Sequence, residues 1–130
     1  MTSRPDGDVE LTITFLYYRD LAAAEAFYRD VMGFSLAIDQ GWAKIMAIGG
    51  AAHVGLVDET HGMHNSETVK PVQLCIRVPD VDGWYTYVRE VGVANLSEVF
   101  VNDEIGIRAF VFDDPEGYQI EVQTATRPGA

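Results

Sequence analysis

Leu11-Thr12-Ile13-Thr14-Phe15-Leu16-Tyr17-Tyr18-Arg19-Asp20-Leu21 is answered half a chain later by Val72-Gln73-Leu74-Cys75-Ile76-Arg77-Val78-Pro79-Asp80-Val81. Each run is rich in β-branched, aromatic and aliphatic residues, which predicts a strand. Each closes on an aspartate, Asp20 or Asp80, at the place where a helix begins. A carboxylate there accepts hydrogen bonds from backbone N–H groups that have no partner inside the helix. In the first helix Leu21, Ala24, Phe27, Tyr28 and Val31 recur at three- and four-residue steps and give one apolar face. Val81, Trp84, Tyr85, Val88 and Val91 do the same in the second. Gly33 and Gly92 suit the left-handed turn that stops a helix. On this reading Asp20 pairs with Asp80, Tyr28 with Tyr87 and Gly33 with Gly92.

After each helix come short strand-like runs separated by Gly, Asn and Asp. They lie near Ser35 to Ile38, Trp42 to Ile48 and Ala52 to Val57, then near Leu96 to Val99, Ile107 to Phe112 and Tyr118 to Gln123. Asp114-Pro115-Glu116-Gly117 is a turn signal between the last two runs. A β-α-β-β-β order read twice predicts an α+β fold of two similar modules. The expected organisation is a single domain over 1–130, with module one at about 9–59, a polar linker at 60–71 and module two at about 72–124.

With 130 residues, 48% of them hydrophobic, the chain is long enough to bury a core without disulfides or a structural metal. Its one cysteine, Cys75, has no partner for an internal bridge, and a reduced, cytoplasmic setting is the simplest expectation. Met1 to Asp8 is polar, and no stretch approaches the roughly 20 apolar residues that span a bilayer. The formal charge of -11 is spread along the chain. Such a surface repels phosphate backbones and anionic lipid, so neither nucleic acid nor membrane is expected as a partner.

Two further motifs resemble a known family. Phe27-Tyr28-Arg29-Asp30-Val31-Met32-Gly33-Phe34, after Arg19-Asp20-Leu21, is similar to the first-helix signature of the vicinal oxygen chelate superfamily, the glyoxalase, bleomycin-resistance and extradiol-dioxygenase group. Asp113-Asp114-Pro115-Glu116-Gly117-Tyr118, followed by Glu121, resembles that group's closing hairpin. The similarity runs from about Val9 to Thr124. It implies two βαβββ modules forming a U-shaped mixed sheet around a cavity, helices outside, and a homodimer that covers the open edges. Metal-dependent members hold up to four His or Glu ligands, because a divalent ion with open positions can bind two neighbouring substrate oxygens. Carried over singly, those positions fall on Ile13, Gly55, Gln73 and Glu121. Only Glu121 matches, so no metal and no other cofactor is expected. A rearranged site joining His53, or the linker's His61 or His64, to Glu121 is the competing metal reading.

If Ile13 faces the cavity, strand alternation turns Leu11, Phe15 and Tyr17 the same way. Gln73, Cys75 and Arg77 follow in the fifth strand, and Gln119, Glu121 and Gln123 in the last, with Ile120 and Val122 against the helix. His53 shares the face of Gly55. The candidate ligand-binding residues are therefore Phe15, Tyr17, Trp42, His53, Gln73 and Glu121, and no catalytic residue is assigned. Aromatic walls with sparse polar groups suit a small aromatic molecule. The resemblance is to the metal-free, antibiotic-binding branch, which implies sequestration of a drug-like or natural-product ligand for self-resistance. The alternative is an enzyme: metal-free, with Glu121 and His53 as acid and base, or an altered-metal lyase, isomerase or dioxygenase. Plain packing is the competing role for Phe15, Tyr17 and Trp42, and Cys75 reads as a small buried hydrophobe.

Overall fold

The computed structural model describes residues 3–130. Along the chain lie β1 (Thr12–Tyr18), α1 (Leu21–Ala26) continuing into a π-helical turn (Phe27–Val31), β2 (Ser35–Asp39), β3 (Ala43–Gly49) and β4 (Ala52–Asp58). The same order returns as β5 (Gln73–Arg77), α2 (Val81–Val91), β6 (Phe100–Asn102), β7 (Ile107–Asp113) and β8 (Gln119–Ala125). Backbone contacts divide the chain into two units between Asn65 and Ser66. The first holds a four-stranded sheet in the order β1-β4-β3-β2, the second one in the order β5-β8-β7-β6. In each the outer pair, β1 with β4 or β5 with β8, is parallel and the rest antiparallel. The fold is α+β, built from two βαβββ modules.

The two aspartates act as their positions predict. Asp20 Oδ1 accepts from the Ala23 N–H at 3.0 Å and Asp80 Oδ1 from the Gly83 N–H at 2.9 Å, each starting a helix. At the far end of α2, Gly92 stands at φ +84° and its N–H donates to the Val88 carbonyl at 3.0 Å. Any other residue would be strained in that left-handed turn.

The first helix departs from expectation. The Met32 N–H reaches back five residues to the Phe27 carbonyl, at 3.1 Å, so the helix swells by one residue instead of running on as α. Asp20 to Gly33 is thirteen steps, whereas Asp80 to Gly92 is twelve. The extra residue shifts the pairing of the repeats. Tyr28 and Val88 each lie eight steps after their aspartate and are fully buried, while Tyr87 is 40% exposed. The match of Tyr28 with Tyr87 is thus corrected to Val88. Val91, in the last turn before the Gly92 cap, is also exposed and not part of the packed face.

Strand alternation then sorts the faces. In module one Leu16, Tyr18, Met46, Val54 and Leu56 are buried together with Ala24 and Tyr28 of the helical segment, and α1 packs over β4. In module two Ile76, Phe110, Phe112, Ile120 and Val122 are buried with Val81 and Val88 of α2, which packs over β7 and β8. Full burial of each such aliphatic or aromatic side chain is worth about 1.5–3 kcal/mol, so these faces hold each module together. The opposite faces are released for other work.

A second departure lies before β6. Leu96 to Val99 is not a strand; the strand begins at Phe100. Asn95 sits at φ +54° and its side chain bonds Asp113 at 2.7 Å, which turns the backbone. Ser97 then bonds the Val111 N–H through its hydroxyl at 2.9 Å, taking the place of a ladder carbonyl. The Asp114 turn forms as predicted, its buried Oδ1 accepting from the Glu116 and Tyr118 N–H groups at 2.9 and 3.0 Å. No helix among the described residues is long and apolar enough to cross a membrane.

Candidate functional site

Register places three rows of side chains on the face of module one that does not carry the helix. The rows are Ile13–His53–Ala47, Phe15–Gly55–Ile45 and Tyr17–Val57–Ala43. Directly paired residues share a face, so Phe15 stands beside Gly55, and Tyr17 lies in one row with Val57 and Ala43. That difference in size leaves a hollow. The β2–β3 hairpin supplies its side: Gly41, at φ +79°, donates its N–H to Asp39 Oδ1 at 2.9 Å, and the Trp42 carbonyl accepts from the Asp58 N–H at 2.8 Å. Trp42 is thereby held at the rim, 46% exposed.

The result is a cavity of about 130 Å³. Phe15, Tyr17 and Trp42 form aromatic walls, Ala43 and Val57 lie on the strands between them, and Gly62 and Met63 close the loop side. Gln40 supplies a neutral amide, its one aliphatic polar side chain, beside the Tyr17 hydroxyl and the Trp42 indole N–H. An apolar space of roughly 150 Å³ takes one benzene ring, so this hollow suits about one ring of a ligand.

The loop after β4 is organised by Asp58. Its Oδ1 accepts from the Thr60 hydroxyl at 2.7 Å and the Thr60 N–H at 2.9 Å, and its carbonyl accepts from the N–H groups of His61 and Gly62. The Thr60 hydroxyl first, then its N–H, hold the Asp58 carboxyl below its ordinary range. Because the hydroxyl proton goes to Asp58, Thr60 can only accept at its contact with His61 Nδ1, 3.0 Å away. His61 therefore carries a proton on Nδ1. Its ring lies nearly parallel to Trp42, centroids 5.9 Å apart, while His64 meets Tyr17 edge-on at 5.2 Å. A Cβ on Gly62 would fall 2.7 Å from Val57 and 2.9 Å from Tyr17, so only glycine lets the loop come this close.

Of the residues singled out from sequence, Phe15, Tyr17 and Trp42 meet in this cavity. His53 shares the face but lies outside the lining; its half-buried ring donates Nδ1–H to the Ala51 carbonyl at 2.9 Å, which leaves Nε2 as the acceptor. Gln73 and Glu121 lie on the sheet of module two. There Gln73 bonds Gln119 at 2.6 Å, Glu121 stands opposite Cys75, and Arg77 grips Gln123 and the Ala130 carbonyl. Cys75 is exposed, not a buried hydrophobe, because it belongs to the face away from α2. Desolvation by its immediate neighbours, followed by the Glu121 charge, pushes its thiol up to about 11. Sequence reasoning missed Gln40 and Met63. The Asp39-Gln40-Gly41 turn was a usable signal for the first, and none marks the second.

The metal site of the family finds no match in these residues. Ile13 and Gly55 carry no donor atom, Gln73 offers only an amide already bonded to Gln119, and Glu121 is the one carboxylate. Among the described residues no three His, Cys, Asp or Glu side chains gather where one ion could bind them all. The three histidines of module one are instead engaged separately, with Ala51, Trp42 and Tyr17.

Doubled βαβββ modules with an open sheet face define the vicinal oxygen chelate architecture. The family model for the Glyoxalase/Bleomycin resistance protein/Dioxygenase superfamily matches residues 10–122, and the chain belongs to that superfamily. Among solved structures it is similar to lactoylglutathione lyase from Agrobacterium tumefaciens, at 25% identity and TM-score 0.73, over 96% of this chain and 98% of that one. It is also similar to TnmS3, an antibiotic binding protein from Streptomyces sp. CB03234, at 24% identity and TM-score 0.75, over 93% and 99% of the two chains. TioX from Micromonospora sp. ML1 aligns at 20% identity and TM-score 0.73, over 88% and 98%. A search of curated proteins finds no match.

Proposed function

We propose that this protein binds a flat aromatic small molecule in the module-one cavity and sequesters it without chemical change, in the manner of an antibiotic-binding protein. The observation that carries this reading is the cavity itself: three aromatic walls, one neutral amide and no ionised side chain in the lining. Stacking on such walls favours planar ligands, and Gln40 can orient a carbonyl or amine. The fold neighbour TnmS3 is itself an antibiotic binding protein, so the scaffold accommodates that role. The net charge of -11 favours neutral or cationic ligands over anionic ones. Module one carries the reading by its own residues.

The test is titration calorimetry with quinoline and with a panel of polycyclic aromatic antibiotics, followed by mass spectrometry of the recovered ligand. Saturable binding of one unchanged molecule per chain supports sequestration. A transformed product at many turnovers per chain would make the protein an enzyme. For that second reading one observation speaks: the fixed Nδ1–H of His53 leaves Nε2 as a base on the ligand-facing side of the sheet. An enzyme of this kind would lose turnover on His53→Gln.

We also propose a homodimer. β2 is an edge strand with Leu36 42% and Ile38 39% exposed, an arrangement that proteins ordinarily cover.

A further inference from the structure

We infer that Gly55 is a positioning residue that shapes the aromatic cavity: the side chain it lacks is the space in which the Phe15 ring rests. This inference depends on the aromatic-binding reading above for its meaning in function. Gly55 pairs with Phe15 on one side and Ile45 on the other, in the middle of the sheet. Its backbone is not in the left-handed region, so geometry does not ask for glycine there. Space does. A Cβ at this position would lie 2.5 Å from Phe15 Cδ1, 2.7 Å from Phe15 Cε1 and 3.0 Å from Ile13 Cγ2. Carbon atoms do not approach so closely without something moving.

Phe15 is the part that can move. It is 45% exposed, and its ring lines the cavity while Gly55 beneath it does not. A methyl group added at Gly55 must lift the ring off the sheet. The lifted ring either enters a hollow of about 130 Å³, which has room for about one ring, or swings out to solvent and removes a wall. Both outcomes damage the site. Gly55 thus has a positive role in this chain. One glycine both withholds a donor atom and admits the floor of an aromatic pocket.

The experiment is a double-mutant cycle with Gly55→Ala, Phe15→Ala and the double variant, read by quinoline titration and by urea unfolding. Gly55→Ala is expected to raise the quinoline Kd at least tenfold. In the Phe15→Ala background the same change should alter Kd less than twofold, because no ring remains to be displaced. Equal weakening in both backgrounds, or no weakening in the first, would overturn the inference. If wild-type protein binds neither quinoline nor any antibiotic of the panel, the sequestration reading fails by itself, and the urea midpoints still decide the Gly55–Phe15 contact. They should fall on Gly55→Ala only when Phe15 is present; a fall of the same size without Phe15 rejects the contact. Should Gly55→Ala fail to fold, folding of the double variant supports the inference and its failure to fold rejects it.

Discussion

Trp42→Ala removes one wall of the cavity from a position where the fold has little at stake. The indole is 46% exposed, and its neighbour across the loop is the His61 ring at 5.9 Å. Truncation of a fully buried aromatic costs about 3–5 kcal/mol; a half-exposed rim residue should cost about 1 kcal/mol or less. Binding should suffer more. The stack itself is worth about 0.5–1.5 kcal/mol. A lost ring face of about 40 Å², at about 25 cal/mol per Å², adds about 1 kcal/mol. The total of about 1.5–2.5 kcal/mol corresponds to a Kd raised about tenfold to seventyfold. Quinoline titration at fixed ionic strength measures the first effect and urea unfolding the second. Trp84→Phe, at a tryptophan that does not line the cavity, serves as the control and should leave Kd unchanged. A Trp42→Ala Kd within twofold of wild type would refute the assignment of this cavity. So would a stability loss large enough to account for the weaker binding.

Cys75 should be sluggish toward iodoacetamide at pH 8 in spite of its exposure: a thiol pushed up to about 11 holds roughly a hundredfold less thiolate than one at the ordinary value of 9.0. Glu121→Gln should speed the reaction by removing a carboxylate that disfavours the thiolate, and an unchanged rate would count against that pairing. The sign carries over to stability, since an acid whose folded pKa is raised weakens the fold as pH climbs from the unfolded thiol's value toward about 11. Asp80→Ala should lower the unfolding free energy by about 1 kcal/mol through loss of the helix cap, with Asp80→Asn nearly neutral in a urea titration. Light scattering at micromolar concentration should give twice the mass of the 14.4 kDa chain, and a monomer would dispose of the dimer proposal. Elemental analysis should find no stoichiometric transition metal, and chelators should leave the melting temperature unchanged; one zinc, nickel, iron or manganese per chain, lost on Glu121→Ala, would contradict the reading of the donor set.

What was legible in the sequence was what short-range physics decides. An aspartate before an apolar helical face and a glycine after it mark a helix wherever they occur, so both caps and the doubled βαβββ order could be read from residues alone. The π-helical turn was present only as a difference of one step between the two aspartate-to-glycine intervals, thirteen against twelve, and a length difference of one ordinarily passes for loop variation. Leu96 to Val99 misled because its composition is that of a strand, whereas the left-handed Asn95 and the Ser97 hydroxyl decide its path. The site divided along the same line. Alternation from Ile13 was enough to turn Phe15 and Tyr17 onto one face, since the period of a strand is local. Gln40, Gly62 and Met63 join them only through a hairpin and a loop brought together by the sheet, and no pattern within either segment announces that meeting. Gly55 is the sharpest case. In the sequence it registers only as a ligand that is missing, because a residue's neighbours across a sheet are invisible there. In the folded module the space beside it is filled by Phe15, so the absence of a donor and the presence of an aromatic wall are two sides of one packing arrangement.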